Sequence, residues 1–479
     1  MKIDRLLWGA TIFLFALGTA PLLACDVPPL EDLPAHLATI VVIKHIGAYP
    51  EFVFHGFFKT NATLFAFLSA FGESHLVLAS KAFVALTVLA HAWVFPRLVL
   101  ELGGRERVAP ATLIAAPLVH NWFVAMGMLD YALGSALALA CVLLIVRQAK
   151  DASRARGVAI GLLGMLVWYT HVFALGMVLF LAGIEAIRVR RLRALAPFAP
   201  LAPGALLAAW SVGVELARRR APSSHAIVYR PPWETAYELW AKYAWSFSKL
   251  EIASVATTAV LAIALVRDRK RDVPVLSTFA ACALLVVHFA APSEAFDWFA
   301  VNSRVLPFLY AIALVRVPPL PKIGLAACAA LALAWSAGTT LDYARLDRDF
   351  KDATAGISVV PEGADLFPVI FDPRGSSENT WALVNVWGLY VVAKHTSAPL
   401  LFAHSPSFPI GYAPGKKSAL EAATFAQSPH DADAWKKFEE SLASRGWILE
   451  WGVRPEDAIE PPAHVLALDR GRLRIYRPR

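Results

Sequence analysis

Residues 157–187, GVAIGLLGMLVWYTHVFALGMVLFLAGIEAI, decide how this chain is threaded. The run is apolar almost throughout and a little over thirty residues long. A hydrocarbon core of about 30 Å needs about 20 residues per helical crossing. The stretch is therefore too long for one ordinary span and short for two. Basic residues on either side settle the count, because Lys and Arg accumulate in the cytoplasmic loops of membrane proteins. The clusters are Arg105/Arg107, Arg147/Lys150/Arg154/Arg156, Arg188/Arg190/Arg191/Arg193, Arg267/Arg269/Lys270/Arg271 and Arg316/Lys322. A single crossing would place the third cluster outside. A break near Tyr169-Thr170-His171, giving two short helices inside the bundle, puts all five clusters on one side.

Outward from this run, candidate spans cover residues 6–24, 76–98, 108–124, 128–147, 194–214, 250–266, 273–291, 304–317 and 320–340. With the broken pair they make about eleven crossings. Composition agrees: of 479 residues 57% are hydrophobic and 17% charged, against roughly 45–50% and 25% in soluble domains. The net charge of +8 sits in short stretches between apolar runs, so it sets orientation and does not imply a nucleic-acid partner. Lys2 and Arg5 ahead of the run 6–24 fit a signal peptide or a retained first helix, and a retained anchor suits a multi-span chain. Leu22-Leu23-Ala24-Cys25 has the form of a lipoprotein processing site, which leaves lipidation of Cys25 as an alternative. No cysteine pair has disulfide, zinc or CxxC spacing, no metal site is assigned, and no glycine loop for nucleotide phosphates is present.

The resulting topology predicts outer segments at 25–75, 121–128, 215–249, 292–303 and 341–479. In the first, Asp32 and Pro34 read as a helix start, with Leu33, Leu37, Ile40, Val41 and Lys44 at helical spacing. Phe52–Phe71 reads as a second amphipathic helix, and both are expected to lie in the membrane interface. Residues 341–479 read as a soluble α/β domain beyond a transmembrane domain 1–340. Its expected strands are Leu366–Phe371 and Ile448–Trp451, followed by a hairpin of Val465–Leu468 and Leu473–Tyr476. Its expected helices are Thr380–Lys394 and Ala432–Ser444.

Directly after the first span comes Cys25–His36, CDVPPLEDLPAH, which gathers Asp26, Glu31, Asp32 and His36 among three prolines. A carboxylate there can take a proton from a hydroxyl, and another can bind a cation or sugar hydroxyl. Asp32 as N-cap, with Glu31 favouring the helix dipole, is the competing structural reading.

One amino-terminal span, a long acidic first outer loop, many short or broken spans and a carboxy-terminal outer domain together resemble the GT-C superfamily of membrane glycosyltransferases. The resemblance implies a polytopic α-helical fold and inverting transfer of a hexosyl or pentosyl group from a polyprenyl-phosphate sugar. It also implies a first-loop aspartate as general base, and here Asp26 and Asp32, with Glu31 beside them, match that position. An adjacent Asp-Glu or Asp-Asp pair is missing, so the choice of base stays open. The donor phosphate needs a cation, either a side chain or a divalent ion such as Mg or Mn.

Arg304, at the outer start of a span, is the leading cation, since arginine grips phosphate through two parallel hydrogen bonds. Arg230, Lys242 and Lys249 are further options, although a solvated interfacial charge is the default reading of each. Trp233, Tyr237, Trp240, Tyr243 and Trp245 fit an interfacial aromatic belt or sugar-stacking faces. His171, Asp130, His120 and Asn121 are polar where polarity is costly, and so are candidates to line the cavity. Glu294 and Asp297 could assist a cation. Asn61-Ala62-Thr63 is a glycosylation sequon only in a eukaryotic secretory pathway. The expected partners are membrane lipid, the lipid-linked donor and an acceptor of unspecified class. The expected location is a bacterial inner membrane with a cytoplasmic N-terminus. A non-catalytic scaffold of the same architecture and a lipid or solute transporter remain alternatives; a transporter would show repeat symmetry, and none is visible.

Overall fold

The computed structural model describes residues 4–218, 227–245, 251–271, 273–295, 298–403, 407–416, 446–453, 461 and 463–479. Lys249, Asp297 and the expected helix Ala432–Ser444 lie outside these residues. The chain is a polytopic membrane protein. Among the described residues six helices are long and apolar enough to cross a bilayer: Arg5–Ala24, Glu73–Gly103, Leu129–Lys150, Val172–Val189, Leu192–Val214 and Lys322–Ser358. Arg105–Ile114 and Ala116–Ala125, bent by 68°, make a seventh if the pair is one broken span. Pro117 explains that bend, because its ring clashes with the carbonyl four residues back and removes a helix hydrogen bond. Shorter apolar helices, Ile252–Arg267 and Thr278–Ala290, stand at two of the expected spans, and Leu306–Leu314 at a third.

The decisive run breaks where the charges require. One helix runs Arg154–Thr170, His171 adopts an extended backbone (φ −164°, ψ 121°), and the next runs Val172–Val189. The second half is long enough to cross by itself, so only the first is short, contrary to the expectation of two short halves. Both pack on Leu129–Lys150.

At one end of the bundle the basic residues are tied down. Arg105 pairs with Asp4 at 2.6 Å, Arg107 with Asp268 at 2.9 Å, and Arg147 and Lys150 with Glu101 at 2.8 and 2.7 Å. Arg271 donates to the carbonyls of Leu102 and Gly103. The fully buried Arg316 donates to those of Leu276 and Ile312.

At the other end the 25–75 segment differs from its expected form. Leu33–Lys44 is helical, but every residue from Leu33 to Val42 is buried. It is a plug between the bundle and the carboxy-terminal region, not an amphipathic helix in the interface. It lies so close to helix Gly388–Lys394 that a Cβ on Gly388 would stand 2.3 Å from the Pro34 carbonyl oxygen. Phe52–Phe71 is not one helix either: Phe52–Phe54 is a strand, antiparallel to Ile410–Tyr412, and the helix is only Thr63–Ser69. Partners some 350 residues away in sequence overrode the local pattern.

The last membrane helix continues as Lys322–Thr354, about 50 Å at 1.5 Å per residue, so it runs past the apolar core into the carboxy-terminal region. There Leu366–Ile370 pairs in parallel with Trp447–Trp451, which pairs antiparallel with Leu473–Pro478, itself hairpinned to His464–Arg470. Gly471 supplies the positive φ (62°) that the hairpin turn requires. Thr380–Lys394 is helical only from Gly388; residues before it form turns.

Candidate functional site

Where the plug helix, the break and the carboxy-terminal region meet lies a cavity of about 140 Å³. Asp32, His36, Asp130, His171 and Arg304 line it, together with Asn61, Tyr131, Trp298, Phe402 and Phe408. Five residues singled out from sequence, spread over some 270 positions, thus face one space.

Asp32 stands at the helix N-cap position yet its side chain makes no capping bond. Its backbone is fixed instead: the Glu31 and Asp32 amides donate to the Ala125 and Met126 carbonyls, both at 3.1 Å. Gly127, at φ +80°, permits that approach, since a Cβ there would lie 2.8 Å from the Asp32 nitrogen. Asn385 Nδ2 donates to the Glu31 carbonyl at 3.1 Å and to Asp32 Oδ1 at 3.3 Å. Burial, then the neighbouring Glu31 charge, holds the Asp32 carboxyl well above the usual range. Burial likewise pushes Glu31 up to about 7, opposed by the Trp381 N–H, which donates to Glu31 Oε2 at 2.7 Å. Glu31 does not line the cavity; it sits behind Asp32 as a charge partner.

Asp26 is placed elsewhere. Its side chain is 76% exposed and pairs with Lys351 at 2.8 Å, an interaction that holds its carboxyl below the usual range. Pro28 and Pro29 carry the chain from this surface position to the buried one of Asp32.

His36 is boxed by Phe65, Phe402 and Phe408, and burial pushes its imidazole down to about 4. The ring is therefore neutral at pH 7. Nε2 lies 3.3 Å from the Gly127 carbonyl, which can only accept, so Nε2 carries the hydrogen and Nδ1 a lone pair. That Nδ1 is buried without a partner.

Arg304 is 4% exposed. Nη1 donates to His171 Nε2 at 2.8 Å and Nη2 to the Phe299 carbonyl at 3.0 Å. The guanidinium sits 5.1, 4.9 and 5.1 Å from the ring centres of Tyr131, Phe173 and Trp298. No carboxylate pairs with it among the described residues, and its Nε has no partner. A caged cation without an anion is costly to bury and favours an anionic ligand. His171 has one lone pair when neutral, and the shorter, charge-assisted Arg304 bond takes it. The Phe173 amide 3.2 Å from Nδ1 is then a close approach only. The break thus holds the arginine. Asp130 accepts from the Leu64 amide at 2.9 Å, anchoring helix Thr63–Ser69.

The remaining sequence candidates fall outside the cavity. His120 bridges the Gly18 carbonyl (3.0 Å) and the Tyr343 hydroxyl (2.6 Å), joining the first helix to the last. Asn121 caps helix Trp122–Ala125. Arg230 pairs with Glu238 at 3.3 Å and Glu234 at 3.7 Å. Lys242 is half-buried over the Trp122 ring at 4.3 Å, not a solvated charge. Tyr243 and Trp245 are buried, whereas Trp233 and Tyr237 are exposed, so the aromatic belt is only partial. Glu294 lies in a two-residue strand paired with Phe299. Cys25 is buried, with its sulfur 3.8 Å from the Leu22 carbonyl. Sequence reading missed Asn385, Phe402 and Phe408; a lone asparagine in the apolar string Ala382-Leu383-Val384-Asn385-Val386-Trp387 was the available signal.

Comparison with solved structures places this architecture. The chain is similar to ArnT from Cupriavidus metallidurans in the apo state, with TM-score 0.60, 12% identity, and 98% of this chain and 97% of that one covered. The same enzyme bound to undecaprenyl phosphate matches at TM-score 0.53 with equal identity and coverage. The arabinofuranosyltransferase AftD from mycobacteria matches at TM-score 0.53 and 16% identity, over 99% of this chain and 42% of that one. No protein-family profile matches the sequence, and no curated protein does. At this identity the likeness is one of fold, which the chain shares with ArnT along nearly the whole length of both.

Proposed function

We propose that the protein is a glycosyltransferase that takes a sugar from a polyprenyl-phosphate donor and passes it to an acceptor hydroxyl. One observation carries the reading. A buried carboxyl, Asp32, and a buried guanidinium, Arg304, line the same cavity, and neither has an ion-pair partner among the described residues. At the other end of the bundle Arg105, Arg107, Arg147 and Lys150 all meet acids instead. The GT-C fold, and the undecaprenyl phosphate bound by the similar ArnT structure, support the donor class.

In this reading Asp32 removes the acceptor's proton as its oxygen attacks the anomeric carbon. The bond from that carbon to the phosphate oxygen breaks on the opposite face, inverting the centre. The proton ends on Asp32. The departing polyprenyl phosphate takes the bonding electron pair, and Arg304, oriented by His171, offsets its charge. The bare Nδ1 of His36 accepts a hydrogen bond from a sugar or acceptor hydroxyl. Glu31 and Asn385 orient and tune Asp32. A divalent ion could share the phosphate charge, with Asp32 as the nearest ligand.

The same reading gives about eleven crossings, counting the shorter helices. It places the transmembrane domain at 1–340 and an extracytoplasmic α/β domain at 341–479, and puts the basic end, with the N-terminus, in the cytoplasm of a bacterial inner membrane.

The test is transfer from radiolabelled polyprenyl-phosphate sugars in membranes containing wild type, Asp32→Asn or Asp26→Asn. Transfer lost in Asp32→Asn and kept in Asp26→Asn is the expected result. Activity retained in Asp32→Asn would remove it as the base.

A further inference from the structure

Away from the cavity, three segments bring histidine and glutamate together. His45 follows the plug helix, Glu73 opens the turn into helix Glu73–Gly103, and His395 ends helix Gly388–Lys394. His45 Nε2 lies 2.6 Å from Glu73 Oε1, and His395 Nε2 lies 3.0 Å from Glu73 Oε2. The two imidazoles are 4.6 Å apart between centres, and one ligand atom from each of the three residues falls within 4.8 Å of the others. We propose that His45, Glu73 and His395 bind a zinc ion that clamps the 25–75 segment to the carboxy-terminal region.

Three features support a metal over a plain hydrogen-bonded cluster. The first is the tautomer of His395. Its Nδ1 stands 3.2 Å from Glu362 Oε1, and an ionised carboxylate only accepts, so Nδ1 carries a hydrogen. With the hydrogen on Nδ1, Nε2 is the nitrogen turned toward Glu73 Oε2 at 3.0 Å, where either a second proton or a metal ion can stand between them. Glu362 behind His395 is also the carboxylate–histidine–metal arrangement that orients ligating imidazoles.

The second is backbone geometry. His395 is the left-handed C-cap (φ +49°) that ends helix Gly388–Lys394, so its ring stands on a fixed helix end beside Glu73. The third is donor chemistry and spacing. Two imidazole nitrogens and one carboxylate suit zinc, whereas magnesium and calcium prefer all-oxygen sets. Tetrahedral zinc with ligand bonds near 2.1 Å separates donor atoms by roughly 3.4 Å, a spacing inside the 4.8 Å within which one donor atom of each of the three residues already falls. The side chains are 42%, 28% and 35% exposed, which leaves a fourth position for water and a path for the ion.

Such a clamp would hold the far end of the helix that begins at Asp32. The proposal does not depend on the chemistry at the cavity, because its test needs no donor or acceptor. Full-length protein purified in detergent would be stripped with a chelator, dialysed against micromolar zinc and assayed for metal by mass spectrometry. Wild type should retain one zinc per chain, and excess magnesium should not displace it. His45→Asn and His395→Asn should each lose it, Glu73→Gln should weaken retention at least tenfold, and the nearby control His75→Ala should keep it. Zinc should raise the thermal unfolding midpoint of wild type and leave that of His395→Asn unmoved, a readout that also shows the variant is folded. Two results would overturn the site: equal zinc in wild type and variants, or a wild-type midpoint unaffected by zinc or chelator. The second would leave a hydrogen-bonded ion cluster only.

Discussion

The two ends of the helical bundle use the same residue types in opposite ways. At the basic end, Arg105, Arg107, Arg147 and Lys150 each meet an aspartate or glutamate at 2.6–2.9 Å, and Arg316 donates to two carbonyls. At the cavity end, Arg304 is buried without an acid and Asp32 without a base. Matched charges hold helices in register, whereas unmatched buried charges cost free energy that a ligand can recover.

The strongest way to break this contrast is Asp32→Asn, which keeps size and hydrogen bonding but cannot take a proton. Transfer should fall by roughly 10²–10⁴-fold, the usual contribution of a positioned base, while detergent-solubilised protein stays monodisperse. A change below tenfold would place Asp32 with the architectural charges. Next comes Arg304→Lys, which keeps the charge but loses the planar fork. A charged hydrogen bond is worth about 1.5–3 kcal/mol, so transfer at subsaturating donor should drop roughly tenfold to hundredfold, chiefly through weaker donor binding.

The pH profile sharpens the same contrast. Asp32 and Glu31 both bind protons more tightly than free carboxylates do, so the base is idle at acid pH and transfer should rise with pH only above the usual carboxylate range. Glu31→Gln removes the neighbouring charge that helps raise Asp32, and the rising limb should move to lower pH. An unmoved limb would show that Glu31 does not tune the base. The smallest effect belongs to the matched end. Arg147→Ala leaves Glu101 still paired with Lys150, so stability should change by about 0.2–1 kcal/mol and transfer should not change measurably.

Much of this contrast was legible in the sequence. The break at His171 followed from counting basic clusters, because orientation is a property of the whole chain that each loop reports. Arg304 and Asp130 stood out as polar groups at span ends. The choice between Asp26 and Asp32 was not legible: six residues and two prolines separate an exposed ion pair from a buried carboxyl, and the buried environment of the second comes from Asn385 and its neighbours. The plug helix was misjudged for the same reason. Its apolar residues face all directions, which fits burial, but the covering helix Gly388–Lys394 lies some 350 positions later. Strand Phe52–Phe54 likewise pairs with Ile410–Tyr412, a pairing that no local periodicity announces.

The closeness of Gly388 to Pro34 also bears on how the molecule is made. Asp32 and His36 are synthesised some 350 residues before Asn385, Phe402 and Phe408, which close around them. Until that later segment has been made and has folded back, the groove stays an open trough. A chain cut short after helix Lys322–Thr354 would therefore never assemble its chamber.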